Sequence, residues 1–123
     1  MSQGNLLGNN ESISAIDWEL CLKLANNKSE IAEEILSFVL LQLPDDLSDI
    51  KQAFAKTDYA ELLRSVHKLH GALCYTGMPK LKNIVSEFEG YLKKKEFETA
   101  TIQQMMTHLE TATQEVLSAE RKA

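Results

Sequence analysis

Apolar residues recur at intervals of three and four over five separate stretches of this 123-residue chain, and each stretch predicts an amphipathic helix. The first is short, about Asp17 to Ala25. Trp18, Leu20, Cys21, Leu22 and Leu24 are its apolar residues, with Trp18 expected to anchor it on the rest. Asn26-Asn27-Lys28 reads as a turn, and Ser29 as the N-cap of a second helix running from Glu30 to about Ala55. Ile31, Ile35, Phe38, Val39, Leu43, Leu47, Ile50 and Phe54 give that helix a continuous apolar face. Pro44 should kink it or split it in two, because proline lacks an N–H and clashes one turn back.

Asp58-Tyr59-Ala60-Glu61 has the pattern of a capping box, with Asp58 as N-cap and Glu61 reaching back to it. It opens a third helix that should end near Thr76, with Gly77 as its C-terminal stop and Pro79 in the first turn of a fourth. The fourth helix, about Pro79 to Lys94, carries Leu81, Ile84, Val85, Phe88, Tyr91 and Leu92 at helical spacing. Its basic end, Lys93 to Lys95, is favourable at a helix C-terminus. Ile102, Met105, Met106, Leu109, Val116 and Leu117 mark the last helix, about Thr99 to Glu120. Short connections between long helices imply antiparallel neighbours. The expected fold is therefore all-α: an up-and-down antiparallel four-helix bundle over residues 16–120, with a short additional N-terminal helix. Residues 1–15, polar at the start and rich in Gly and Asn, read as a flexible linker or tail.

Composition agrees with this picture and removes several functions from it. Two prolines and five glycines leave little room for the repeated turns of an all-β fold. A net charge of −5 argues against nucleic-acid binding, which needs a basic stripe to neutralise phosphates. No apolar run approaches the roughly 20 residues of a membrane span, so no direct membrane contact is expected. Cys21 and Cys74 could pair, but the favoured reading is two free thiols of a reducing compartment, so a cytoplasmic chain is expected.

The candidate chemistry lies on the third helix. Tyr59, Leu62, Val66, Leu69, Leu73 and Thr76 form its buried stripe, which puts His67 about 130° away at 100° per residue. His67 therefore points outward. Ala60, Gly71 and Cys74 beside it are small, and a mid-helix glycine costs up to about 1 kcal/mol relative to alanine. Room for something to approach the imidazole would explain that choice. Leu63 supplies an apolar spot for a partner, and Arg64, Lys68 and His70 supply positive or hydrogen-bonding character. A neutral imidazole offers a nucleophilic nitrogen near pH 7 without a second activating residue, so the arrangement suits phosphoryl transfer between proteins.

At these residues, His67-Lys68-Leu69-His70-Gly71-Ala72 followed by Gly77, the sequence resembles the histidine-containing phosphotransfer (HPt) family. Its continuation, Cys74-Tyr75-Thr76-Gly77-Met78-Pro79-Lys80-Leu81-Lys82-Asn83, resembles the C-terminal HPt domain of hybrid sensor kinases of the BarA/GacS type. The resemblance extends from Ile16-Asp17-Trp18-Glu19 through Leu43-Pro44 to the last helix. It implies that His67 is the phosphoacceptor, forming a phosphoramidate at Nε2. The phosphoryl group would arrive from an aspartate of a receiver domain in a hybrid sensor kinase and pass to a response-regulator receiver domain. It further implies no cofactor in this domain, with Mg²⁺ held by the partner receiver, and a monomer in isolation. The parent kinase is the part that would be anchored in an inner membrane. Where the family has Lys three residues after the acceptor, this chain has His70, a candidate for assisting the phosphate. The docking patch expected around His67 is Leu63, Arg64, Lys68, His70, Gly71 and Cys74, together with second-helix residues near Gln42. With no glycine-rich phosphate loop, the chain is not expected to phosphorylate itself from ATP.

Two rival readings compete. A zinc site could use His67, His70 and Cys74, although these are too few ligands for a closed site. A purely structural helical interaction module would leave His67 without a chemical role. His108 reads as solvated or partly packed, and Met105 and Met106 as core filler.

Overall fold

The computed structural model describes residues 15–122. Five helices follow one another: α1 (Trp18–Leu24), α2 (Ser29–Ala55), α3 (Tyr59–Leu73), α4 (Pro79–Lys93) and α5 (Thr99–Lys122). α2 packs on α3, α3 on α4 and α4 on α5, while α5 returns to α2 to close the bundle and α1 lies against α2. The expected all-α bundle with a short extra helix is the observed architecture. The main core is an apolar cluster in which Leu43, Ile50, Leu62, Val66, Leu69, Leu73, Phe88, Leu92, Ile102 and Leu109 are all fully buried, and a smaller cluster of Cys21, Ala25 and Ala32 joins α1 to α2. Such burial, at roughly 25 cal/mol per Å² of apolar surface, is the main source of stability in a bundle of this kind. The tail assigned to residues 1–15 lies outside the described residues except for Ala15, which is buried in the core rather than free of it.

Several local expectations are corrected by packing. Ser29 is the first residue of α2 rather than its cap; the N-cap is Lys28, which offers no side-chain hydrogen bond. The preceding turn is made by Asn26 and Asn27, both in the left-handed region (φ 59° and 63°), which asparagine tolerates better than most residues. α2 runs unbroken through Pro44. Pro44 is itself exposed, and Leu43 and Ile50 hold the helix in the core on either side. The apolar face drawn for α2 is also too wide. Ile31 and Phe38 are exposed, because at 100° per residue they fall on the flank of the helix, well away from the line of Ala32, Val39, Leu43 and Ile50.

Asp58 caps α3 by accepting from the Glu61 backbone N–H at 3.1 Å. Glu61 does not complete the box: the Asp58 N–H donates to the Ala53 carbonyl instead, and the Glu61 carboxylate takes Arg64. α3 ends at Leu73, earlier than expected, and Gly77 is not a left-handed helix stop. Its role is close approach. A Cβ on Gly77 would collide with the Asp17 carbonyl and lie 2.9 Å from the Cys21 backbone nitrogen. The Asp17 N–H donates to the Gly77 carbonyl at 2.8 Å, so α1 docks on bare backbone after α3. Cys21, buried and in contact with Thr76 Oγ1 at 3.3 Å, anchors α1, while Trp18 is more than a third exposed. Both cysteines are free.

Candidate functional site

α3 presents two histidines toward α4. Its apolar residues Leu62, Val66, Leu69 and Leu73 are fully buried, which fixes the rotation of the helix. That rotation leaves the His67 side chain 69 % exposed and turns His70 further inward, to 27 %. From α4 comes Glu89, whose side chain is only 5 % exposed. Its Oε2 lies 2.5 Å from His67 Nδ1, and its Oε1 lies 2.7 Å from His70 Nδ1. Lys93, one turn along α4, places Nζ 3.4 Å from Glu89 Oε2.

A single carboxylate thus serves three donors. Burial alone would raise the Glu89 pKa, but the hydrogen bonds from His67, His70 and Lys93 outweigh it and hold the carboxyl below its ordinary value. Glu89 is then ionised at neutral pH and can only accept. The two ring nitrogens that face it must therefore both carry protons. On a neutral His67 this leaves Nε2 as the unprotonated nitrogen, on an exposed side chain.

Sequence reasoning found both histidines and missed Glu89. His67 is also not an imidazole without a second residue beside it, since Glu89 faces its Nδ1. A signal was present: Glu89 follows Val85 by four residues, placing a carboxylate on the apolar stripe of α4, where it needs a partner.

Of the remaining expected site residues, Leu63, Arg64 and Lys68 line a cleft of about 610 Å³ with His67, Glu89, Lys93, Asp49, Glu61 and Ser65, while Gly71, Cys74 and Gln42 lie outside its lining. Leu63 is only half-exposed, since part of it packs on the core. Arg64 is held by Glu61, with Nη2 to Oε1 at 2.6 Å. Lys68 turns the other way, 3.8 Å from the buried Asp46 of α2. Burial raises the Asp46 pKa, Lys68 opposes the rise, and Asp49 and Asp45 add to it. Gly71 is exposed, and a Cβ there would meet nothing within 4 Å, so space beside His67 is open. Cys74 is exposed one turn on, and Gln42 of α2 is half-buried. Phe38, Leu41 and Tyr75 are strongly exposed apolar side chains that the sequence did not single out as surface. His108 lies exposed on α5, away from this group, and Met106 is buried. No three His, Cys, Asp or Glu side chains among the described residues are arranged to hold a metal ion, so His67, His70 and Cys74 do not converge as the zinc reading requires.

Comparison with known proteins adds to this geometry. A family model, the Hpt domain, matches residues 34–119. Over 80 residues, 65 % of the chain, it is 31 % identical to the signal transduction histidine-protein kinase BarA of Shigella flexneri. Over 84 residues, 68 % of the chain, it is 34 % identical to the sensor histidine kinase GacS of Pseudomonas protegens. The match spans 9 % of the length of each of these relatives. Among solved structures, the HPT domain from the Hpt sensor hybrid histidine kinase of Shewanella superposes with a TM-score of 0.63 at 37 % identity, covering 85 % of this chain and 95 % of that one.

Proposed function

The chain belongs to the Hpt domain family, and from that premise we propose that it is a phosphorelay intermediate that carries a phosphoryl group on His67 Nε2. The observation that carries the reading is the 2.5 Å contact between His67 Nδ1 and buried Glu89, which leaves Nε2 as the free nitrogen of an exposed ring.

The step balances without a proton shuttle. The Nε2 lone pair attacks the phosphorus of an aspartyl phosphate on a receiver domain. The N–P bond forms as the bond from phosphorus to the aspartate oxygen breaks, and the aspartate departs as a carboxylate. Positive charge develops on the ring, where the Nδ1 proton shares it with Glu89, much as a carboxylate supports the imidazolium of a hydrolase triad. Passing the group to a response-regulator aspartate reverses each change. Mg²⁺ belongs to the receiver in this scheme.

The docking face we assign comprises Leu63, Arg64, Lys68, Gly71 and Cys74. The register set by Lys68 and Asp46 brings Gln42 alongside α3 one turn further on, with Phe38 one turn beyond that, toward Tyr75. These exposed apolar side chains extend the face. Incubation with a receiver domain labelled on its aspartate tests the reading. Acid-labile, base-stable label should appear on the wild-type chain and be absent from His67→Gln. Equal labelling of the two proteins would refute it.

A further inference from the structure

His70 occupies the position where family members with lysine have a cation for the phosphate. Its geometry here serves a different end. The ring is mostly covered, and Nδ1 is committed to Glu89 Oε1 at 2.7 Å. On α3, His70 lies about 60° from His67 toward the buried stripe, so the two rings meet the same carboxylate from different sides.

A carboxylate is planar, so fixing one oxygen fixes the direction of the other. Glu89 Oε2 has two competing donors, His67 Nδ1 and Lys93 Nζ, and the lysine is a flexible, 62 % exposed side chain. Without a hold on Oε1, the Glu89 carboxylate could turn about its last torsion and follow the lysine. With His70 in place, Oε2 stays aimed at His67 Nδ1. We infer that His70 is a positioning residue: it acts on His67 through Glu89, fixing the tautomer with Nε2 free, and is not a ligand of the phosphoryl group.

The inference rests on the phosphoacceptor reading for its consequence, but not for its primary test. That test is the His67 tautomer, read from the ring nitrogen chemical shifts of the ¹⁵N-labelled, unphosphorylated chain at mildly alkaline pH. Three proteins are compared: wild type, His70→Phe, which keeps a ring without a donor, and His70→Asn, which returns an N–H near the position of Nδ1. Wild-type His67 should show its proton on Nδ1. In His70→Phe the signals should move to a mixture of tautomers, and His70→Asn should restore the wild-type pattern. Phosphoryl uptake from a labelled receiver domain should fall about tenfold in His70→Phe, the scale on which loss of an orienting partner acts, and recover in His70→Asn. The lifetime of phosphohistidine, once formed, should not change in either variant. An unaltered His67 tautomer in folded His70→Phe, as judged by circular dichroism, would overturn the inference. So would a shortened phosphohistidine lifetime, which would make His70 a phosphate ligand. Should the wild type take up no label at all, the phosphoacceptor reading fails, while the tautomer comparison still decides the coupling.

Discussion

Two buried carboxylates, Glu89 and Asp46, show how one functional group acquires opposite roles. Glu89 is covered and has three donors, so its pKa is held down and its ionised form is favoured in the fold. That contribution is present above the unfolded value of about 4.3 and is lost as pH falls through the lower, folded value. Asp46 is equally covered but has only Lys68 at 3.8 Å, so burial holds its pKa up. Its ionisation therefore costs stability, a cost absent below the unfolded value near 3.9 and fully present above the raised one. Urea unfolding across pH should separate the two. Asp46→Asn is expected to be more stable than wild type at neutral pH, with the gain vanishing in acid. Glu89→Gln is expected to be less stable at neutral pH, with the deficit shrinking in acid. A deficit for Asp46→Asn at neutral pH would mean that the Lys68 pairing outweighs the cost of burial.

Helix faces and most helix bounds were legible in the sequence, and the contacts made at helix ends were not. The stripe of Leu62, Val66, Leu69 and Leu73 follows from spacing alone, and it is what turns His67 outward. Those end contacts depend on tertiary packing that spacing does not carry. Thus Glu61 abandons its capping role for Arg64, and Gly77 serves the docking of α1 rather than the close of α3. The two glycines should respond oppositely to alanine. Gly71→Ala fills open space on an exposed helix and should raise stability by about 0.5–1 kcal/mol, the usual gain of alanine over glycine in a helix. Gly77→Ala forces a Cβ into the backbone of α1 and should cost about 1–3 kcal/mol or more, as overpacking does. Fluorescence of Trp18, the chain's only tryptophan, should report α1 loosening in Gly77→Ala and stay unchanged in Gly71→Ala. Gly71→Trp should keep the fold and block phosphoryl transfer; normal transfer in that variant would remove the argument that Gly71 keeps the approach to His67 clear.

At the scale of the whole molecule, the bundle brings together what the chain separates. His67 and Glu89 are 22 residues apart and meet only because α3 and α4 pack antiparallel. The motif on α3 therefore singles out His67 but says nothing of its partner on α4, because pairing across helices leaves no period within one helix. The same holds for Phe38 and Leu41: their apolar character is plain in the sequence, but their exposure follows from which flank of α2 the bundle leaves uncovered. In the proposed mechanism Glu89 holds His67 so that Nε2 alone is free to take the phosphoryl group. The most direct test is to phosphorylate the ¹⁵N-labelled chain from a receiver domain and read phosphorus–nitrogen couplings on its histidine rings. A single phosphohistidine is expected, His67, bonded at Nε2 with the proton retained on Nδ1. Phosphorus on His67 Nδ1, or on His70, would contradict it.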